Sequence, residues 1–220
     1  MIERLKTSPL LVRVIPFLVF LALTVLQGQV GAIGQFWVYL LKCIVGVWML
    51  WITWKSVPEM RWELTPRAIG VGVLVCSLWV FLDPYYPKLG SVAGPSWNPF
   101  TTFTESAALA WFFFAVRLLG STLIVPPLEE AFYRSFLYRA ILEKDFLNVS
   151  LRGVKWMPFL VTACVFGFAH TQWLAGVLCG VFFQALVCRS GRLGEAMVAH
   201  AITNALLAVW IVVKGAWQFW

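Results

Sequence analysis

The sequence predicts an all-α fold, a polytopic membrane protein built as a bundle of seven or eight transmembrane helices. Two features of its composition predict this fold class. Hydrophobic residues make up 61% of the 220 residues, and the mean hydropathy is +0.82. Charged residues make up only 12%, about half of their usual share in a globular protein, so the chain has too little polar surface for a soluble fold. The composition therefore excludes an ordinary soluble domain and a disordered chain.

Apolar runs that approach the length of a bilayer span, about 20 residues at 1.5 Å rise each, recur along the whole chain. In order, they are residues 14–26, 36–54, 68–82, 107–125, 157–169, 173–188 and 193–213. A shorter and more polar helical stretch, residues 128–142, follows Pro126 and Pro127. It either crosses the membrane, dips into it or extends the preceding helix past a proline kink, and this choice separates seven helices from eight.

Basic residues are distributed unevenly between the loops. The first loop, residues 27–35, carries no charge, and the loop of residues 83–106 has Lys88 as its single basic residue. The other loops and the N-terminal segment hold Arg4, Lys6, Arg13, Lys55, Arg61, Arg67, Arg139, Lys144, Arg152, Lys155, Arg189 and Arg192. The positive-inside rule then predicts an integral protein of a cytoplasmic or inner membrane with a cytoplasmic N-terminus. The net charge of +7 reflects this topology and the lipid bilayer as partner, so we expect no nucleic-acid partner.

We expect a single membrane domain over residues 1–220, with no soluble domain and no internal repeat. Residues 1–106 form its N-terminal helices, and residues 107–213 form a core that carries the candidate chemistry. The loop of residues 83–106 is rich in Pro and Gly, and we interpret it as a connector on the solvent side of the membrane.

Ionisable residues within the apolar runs are the candidates for function, because a charge inside the bilayer costs on the order of 3 kcal/mol. The set includes both histidines of the chain: Lys42, Arg117, Glu129, Glu130, Arg134, His170, Glu195 and His200. We expect Lys42 to snorkel towards the interface. Arg117 lies in the middle of its run and needs a partner, for which Glu105, Glu130 or a substrate carboxylate are candidates. Glu195 lies near a helix N-terminus, which predicts a structural role.

Glu129, Glu130 and Arg134 suggest one half of a catalytic site. On a helix that begins near Leu128, Glu130 and Arg134 are spaced i,i+4 and form a favourable ion pair, while Glu129 points about 100° away. An unpaired carboxylate in a poorly hydrated site suits a general base. The alternative is a capping and ion-pair cluster at a helix N-terminus.

The histidines supply the other half. His170 closes an apolar run, and His200 and Asn204 are spaced i,i+4 on the last long helix, roughly 10 Å deep. If the helices of Glu129 and His170 are antiparallel, these two side chains reach a common depth and can hold a water. His200 and Asn204 can then donate to a developing oxyanion, which completes a site for peptide hydrolysis. Taken singly, His170 also fits a helix-end residue, and His200 with Asn204 fits a core hydrogen bond.

The chain carries three motifs in order: EExxxR at Glu129, Glu130 and Arg134, FxxxH at Phe166 and His170, and HxxxN at His200 and Asn204. They resemble the three signature motifs of the CAAX protease and bacteriocin-processing family, which contains the Ras-converting CAAX endopeptidase and many prokaryotic relatives. The resemblance covers residues 107–213 and implies a glutamic-type intramembrane endopeptidase acting on a membrane-associated protein or peptide. It gives Glu130 and Arg134 a supporting role. The prolines before the first motif and Tyr133 within it also resemble the branch associated with exosortase protein-sorting systems.

Three alternatives stay open. Zinc could be held by Glu129, His170 and His200, but no HExxH helix is present and a further acid would be needed as base, so the sequence favours no metal and no other cofactor. A non-catalytic bacteriocin-immunity or scaffold protein would be expected to lose a motif residue, and none is lost. A transporter is disfavoured because the two halves are not repeats and the charges cluster in one half.

Overall fold

In the computed structural model, the described part of the chain is residues 2–90 and 97–220, with only the backbone described for residues 2–4. The side chain of Arg4 and residues 91–96 of the predicted connector lie outside it. The described part contains nine helices, besides short 3-10 segments and loops, and no strand, which confirms the predicted fold class. The helices in chain order are α1 Ile2–Thr7, α2 Leu11–Gln27, α3 Gly31–Thr53, α4 Pro66–Leu82, α5 Pro99–Thr102, α6 Ala107–Ala140, α7 Trp156–Phe168, α8 Trp173–Ser190 and α9 Gly194–Lys214.

Five helices of the described residues are long and apolar enough to cross a membrane, namely those that contain α3, α4, α6, α8 and α9. The helices α2 and α7 are also apolar but shorter, at 17 and 13 residues. Each long apolar run of the sequence therefore forms a helix. The number of helices that span the bilayer stays a prediction.

The structure shows whether residues 128–142, after the two prolines, form a separate helix or extend the preceding one. The helix α6 continues through the prolines without a break, so residues 128–142 extend the preceding helix for most of their length. The expectation that a helix begins near Leu128 is therefore wrong. Glu129 and Glu130 lie well inside a long helix and not in its first turn.

Local widening of α6 explains how it accommodates Pro126 and Pro127. Proline lacks the backbone N–H and crowds the preceding turn, which breaks the regular pattern of helical hydrogen bonds. The segment Gly120–Ile124 before the prolines and the segment Ala131–Leu137 after them are π-helical. Such local adjustments satisfy the freed backbone groups inside a membrane protein, and they are frequent at functional sites.

Small residues let α7 and α8 pack with their backbones in contact. A short turn joins the two helices, so they run antiparallel. A methyl group at Gly176 would lie 2.9 Å from the Cα atom of Gly167, and one at Gly180 would lie 2.8 Å from the Cα atom of Ala163. Larger side chains are therefore excluded from this interface. The contact fixes the C-terminal end of α7, which His170 follows.

The interface of α4 with α9 is equally close. A methyl group at Gly72 would lie 2.8 Å from the carbonyl oxygen of Ala199, and the hydroxyl of Thr203 donates a hydrogen bond of 3.0 Å to the carbonyl oxygen of Gly72. His200 lies between these two contacts along α9. The interface therefore sets both the depth and the rotation of His200.

A buried polar cluster joins α2 and the end of α6 to the loop between α3 and α4. The Oε1 atom of Glu59 accepts hydrogen bonds from Arg13 and Arg139, each at 2.8 Å, and from the hydroxyl of Ser135. We call these four residues the Glu59 cluster. Burial by itself raises the pKa of Glu59. The charge of Arg13 and the hydrogen bonds from Ser135 and Arg13 lower the pKa by more than burial raises it, so the pKa lies below its ordinary value of 4.5.

Candidate active site

A cavity of about 400 Å³ lies among the helices α2, α3, α4, α6, α7, α8 and α9. Four of the predicted site residues line it: Glu129 from α6, His170 from the turn after α7, and His200 and Asn204 from α9. Most of the other lining side chains are apolar or aromatic. The fold thus brings residues that are far apart in the sequence into one polar site inside an apolar bundle.

The two adjacent glutamates face different surroundings, as a rotation of about 100° per residue requires. Glu130 is fully buried, and its Oε1 atom lies 3.2 Å from the Nη1 atom of Arg134, also fully buried, so the predicted i,i+4 ion pair is present. The side chain of Glu129 is 16% exposed, and its Oε2 atom has no hydrogen-bond partner among the described residues. One carboxylate is held by a guanidinium, and the other faces the cavity.

His200 lies between the two carboxylates. Its Nδ1 atom is 3.1 Å from Oε1 of Glu130, and its Nε2 atom is 3.9 Å from Oε2 of Glu129. An ionised carboxylate can only accept, so the proton of this bond belongs to Nδ1. In the neutral imidazole Nε2 is then an acceptor, and it becomes a donor only when His200 is an imidazolium. The sequence contains no signal for this contact, because Glu130 and His200 lie on helices far apart in the chain.

His170 is oriented by its own helix. Its Nδ1 atom lies 2.8 Å from the carbonyl oxygen of Phe166, which can only accept, so Nδ1 carries a proton and, in the neutral ring, Nε2 keeps its lone pair. The ring also meets Trp79 edge to face, with 5.6 Å between the ring centroids. The bond to Phe166 is the one expected of a histidine at a helix end, and it leaves Nε2 free to accept a proton.

Asn204 is positioned by a backbone carbonyl of α6. Its Nδ2 atom donates a hydrogen bond of 2.7 Å to the carbonyl oxygen of Ser121. Ser121 belongs to the π-helical segment Gly120–Ile124, where the regular hydrogen-bond pattern of the helix is shifted. An amide nitrogen carries two hydrogens, so Asn204 retains a second donor.

The other intramembrane charges depart in part from expectation. Arg117 pairs with neither Glu105 nor Glu130 among the described contacts, and three aromatic rings surround it instead. Lys42 is 3% exposed and donates a hydrogen bond of 3.0 Å to Oε1 of Gln27, the last residue of α2. Both cations line the cavity.

Glu195 has the structural role that its place near a helix N-terminus predicts. It is 3% exposed, accepts a hydrogen bond of 2.7 Å from the hydroxyl of Thr65 and lies 3.6 Å from Arg67. These contacts join the start of α9 to the start of α4.

Zinc is the alternative that the sequence left open for this site. Within residues 2–90 and 97–220, no three His, Cys, Asp or Glu side chains are arranged as a ligand set for a metal ion. Glu129, His170 and His200 share the cavity, and the contact of His200 with Glu130 through Nδ1 leaves Nε2 of the ring available. The donor chemistry of the three residues is compatible with zinc.

Comparison with known proteins gives one finding. The family model described as type II CAAX prenyl endopeptidase, Rce1-like, matches residues 110–206. The matched segment contains all six residues of the predicted site and its support: Glu129, Glu130, Arg134, His170, His200 and Asn204. No curated protein and no solved structure is significantly similar to the chain.

Proposed function

We propose, from the membership of residues 110–206 in the Rce1-like family of type II CAAX prenyl endopeptidases, that this integral membrane protein hydrolyses a peptide bond of a membrane-associated protein substrate. One observation carries the proposal. A carboxylate, two imidazoles and a carboxamide from three parts of the family segment line one cavity of the bundle. Membrane proteins keep polar groups at such depth where they function.

Glu129 and His170 are the proposed activators of water. The Oε2 atom of Glu129 has no hydrogen-bond partner among the described residues, and Nε2 of His170 has a free lone pair. A water in the cavity that donates to both acceptors is polarised for attack on a carbonyl carbon. Glu129 takes the proton during the attack and returns it to the leaving amine, so the enzyme ends the reaction unchanged.

His200 and Asn204 are the proposed donors to the tetrahedral oxyanion. Asn204 has a second amide hydrogen free, and Nε2 of His200 donates when the ring is an imidazolium. The ion pair of Glu130 and Arg134 supports this role, because Arg134 fixes Glu130, and Glu130 accepts the hydrogen bond of Nδ1 and so orients the ring.

The orientation that we propose has the N-terminus in the cytoplasm and the bundle in a cytoplasmic or inner membrane. The basis is the concentration of Lys and Arg in alternate loops. The Glu59 cluster, with two buried arginines, then lies towards the cytoplasmic face, at the C-terminal end of α6.

The test compares wild type with Glu129→Gln, each purified in lipid nanodiscs, on two substrates: a farnesylated CAAX peptide and native membranes. Mass spectrometry of the products is expected to reveal new peptide termini with wild type and none with Glu129→Gln. The same termini from both proteins would contradict the proposal. No new termini from either would favour the non-catalytic alternative.

A second part of the experiment tests whether cleavage needs a metal ion. Each reaction is repeated with a chelator, and the metal content of the purified protein is measured by mass spectrometry. Chelator-resistant cleavage supports water activation by Glu129 and His170. Stoichiometric zinc with chelator-sensitive cleavage would make Glu129, His170 and His200 the ligands and would overturn the oxyanion role of His200.

A further inference from the structure

A second cavity lies where α4 and α9 begin and α8 ends, and it shares no lining residue with the candidate active site. Its volume is about 380 Å³, within the range of small-molecule sites. All of its lining residues are polar: three arginines, Arg67, Arg152 and Arg192, two glutamates, Glu63 and Glu195, and two residues with a hydroxyl group. We call it the arginine cavity.

Two of the three arginines have no counter-charge of their own. In the part of the chain that the structure describes, no carboxylate lies within ion-pair distance of Arg152 or Arg192, and Arg152 donates a hydrogen bond of 3.2 Å to the carbonyl oxygen of Ser190. The positive-inside rule explains why arginines collect in these loops, but not why three of them line one cavity. Guanidinium groups with free donors bind phosphate oxygens well, so this half of the cavity fits a phosphate.

The two glutamates add acceptors to the same cavity. Oε1 of Glu195 accepts a hydrogen bond of 2.7 Å from Thr65, whereas Oε2 has no hydrogen-bond partner among the described residues, although the side chain is only 3% exposed. The nearest cation to Oε2 is Nη1 of Arg67, at 3.6 Å, which is beyond hydrogen-bond distance. Glu63 also lines the cavity. A buried acceptor without a partner is costly, so a ligand that donates to it is favoured.

Exposed apolar side chains beside the arginine cavity place it at the level of lipid headgroups. Leu64, between two residues of the lining, is 74% exposed, and Trp156, at the start of α7, is 70% exposed. Tryptophan concentrates at the interface between a membrane and water, and exposed apolar side chains of a membrane protein face acyl chains. A ligand in this cavity is therefore next to the bilayer.

The charges of the cavity select among the common lipid headgroups. Phosphoethanolamine combines a phosphate with a primary ammonium, which has three N–H donors for carboxylate oxygens. The quaternary ammonium of phosphocholine has no N–H to donate. Phosphoglycerol has no positive charge, so its anion would meet the two carboxylates without compensation.

We propose that the arginine cavity binds a phosphate ester with a primary ammonium group, the headgroup of an aminophospholipid of the surrounding bilayer. The three arginines hold the phosphate, and Glu63 and Glu195 accept hydrogen bonds from the ammonium group. The site uses no motif residue and does not depend on the proposed function. Because α4 and α9 begin at this cavity, a bound lipid also holds the starts of the two helices whose packing positions His200.

The experiment measures lipid binding to wild type in detergent. Short-chain phosphatidylethanolamine, phosphatidylcholine and phosphatidylglycerol are titrated separately, and native mass spectrometry and thermal unfolding report binding. We expect phosphatidylethanolamine to bind roughly tenfold more tightly than either of the others, because each of them lacks the charged donors for the carboxylates. It should also raise Tm most, since a ligand stabilises the state that binds it. Equal affinities, or tighter binding of phosphatidylglycerol, would overturn the proposal.

Substitutions then assign the two halves of the headgroup to residues. The double change Arg152→Gln with Arg192→Gln is expected to weaken binding of phosphatidylethanolamine by about tenfold or more. Glu63→Gln removes an acceptor and a negative charge, so it should bring phosphatidylethanolamine and phosphatidylglycerol within about threefold of each other. Arg189→Gln and Glu143→Gln, which remove exposed charges outside the cavity, are the matched controls and should change neither. Wild-type lipid binding in the double variant or in Glu63→Gln would contradict the proposal.

A further comparison distinguishes a lipid from a soluble phosphate ester. Free phosphoethanolamine is titrated against wild type in the same detergent. We expect it to bind at least about tenfold more weakly than the short-chain lipid, because acyl chains bury apolar surface on the neighbouring side chains. Equal affinity would assign the cavity to a soluble ligand and overturn the lipid assignment. None of these measurements involves cleavage, so this proposal and the proposed function can fail separately.

Discussion

Two buried ion clusters lie side by side on α6 and differ in how completely their polar groups are paired. In the Glu59 cluster, defined above, one carboxylate oxygen accepts hydrogen bonds from three donors. The neighbouring group of Glu130, Arg134 and His200 we call the His200 cluster. In it, Oε2 of Glu130 and all three guanidinium nitrogens of Arg134 lack a hydrogen-bond partner among the described residues.

The difference indicates different roles. A buried polar group without a partner costs about 1–3 kcal/mol, so the His200 cluster is a poor means of stabilising the fold. The guanidinium of Arg134 is instead held over the ring of Phe166, at 4.3 Å, within the second motif. We infer that the Glu59 cluster holds the bundle together and that the His200 cluster holds a histidine in place for chemistry.

The sharpest test of this division is Glu129→Gln, beside the His200 cluster. We expect a loss of about 10²- to 10⁴-fold in kcat, since a general base is removed, with the unfolding free energy changed by less than about 1 kcal/mol. Cleavage kinetics and thermal unfolding in detergent measure the two effects. Glu143→Gln, at an exposed position just after α6, is the matched control and should change neither. A large loss of stability in Glu129→Gln would show that this carboxylate is structural.

For Glu59→Gln we expect a large loss of stability and little change in kcat, the opposite of Glu129→Gln. This change leaves Arg13 and Arg139 buried without their counter-charge, so we expect a loss of about 3–5 kcal/mol in the free energy of unfolding. The fraction that remains folded should keep kcat within about threefold of wild type, because Glu59 lies outside the cavity. A kcat reduced as strongly as in Glu129→Gln would contradict the division of roles.

The same carboxylate predicts how stability depends on pH. The pKa of Glu59 is lower in the folded protein than its ordinary value of 4.5, so its contribution is fully present above about pH 4.5. That contribution is lost as the pH falls through the lower folded value. Thermal unfolding of wild type should therefore show a drop in stability below about pH 4.5 that Glu59→Gln lacks. Parallel curves for the two proteins would exclude this role.

Asn204→Ala is expected to have a smaller effect than Glu129→Gln has on kcat or than Glu59→Gln has on stability. Removal of one oxyanion donor reduces kcat by about 10²- to 10³-fold in comparable sites, and the lost hydrogen bond to Ser121 costs only about 1 kcal/mol of stability. Asn204→Asp is the informative companion, because it keeps the size of the side chain and replaces its donor with an acceptor. Unchanged kcat in Asn204→Ala would remove this residue from the proposed oxyanion site.

Features that depend on residues close together in the sequence are the ones that the sequence predicts correctly. The apolar runs predicted the helices, and the i,i+4 spacing of Glu130 and Arg134 predicted their ion pair, because both depend on residues close in sequence. The sequence does not decide the path through Pro126 and Pro127, since a proline inside a membrane helix either ends the helix or is accommodated by a π-helical segment.

The features of the site that the sequence does not predict are contacts between residues far apart in the chain. The bond of His200 to Glu130 and the stacking of Trp97 and Trp220 on Arg117 depend on how the helices rotate against one another. A single sequence contains no measure of that rotation. The sequence therefore indicated that Arg117 needs a partner, but not that the partner would be a set of aromatic rings at the cavity.

The smallest expected effect lies at the interface that positions the His200 cluster. Gly72→Ala places a methyl group 2.8 Å from the carbonyl oxygen of Ala199, so α4 and α9 must separate slightly. We expect a loss of about 1–3 kcal/mol in stability together with a several-fold fall in kcat, since the adjacent His200 moves with the backbone. Gly70→Ala, whose added methyl group meets no atom within 4 Å, is the matched control on the same helix and should be neutral or stabilising by about 0.5–1 kcal/mol. If Gly72→Ala lowers stability and leaves kcat unchanged, the position of His200 does not depend on this contact, and the His200 cluster is held from α6 alone.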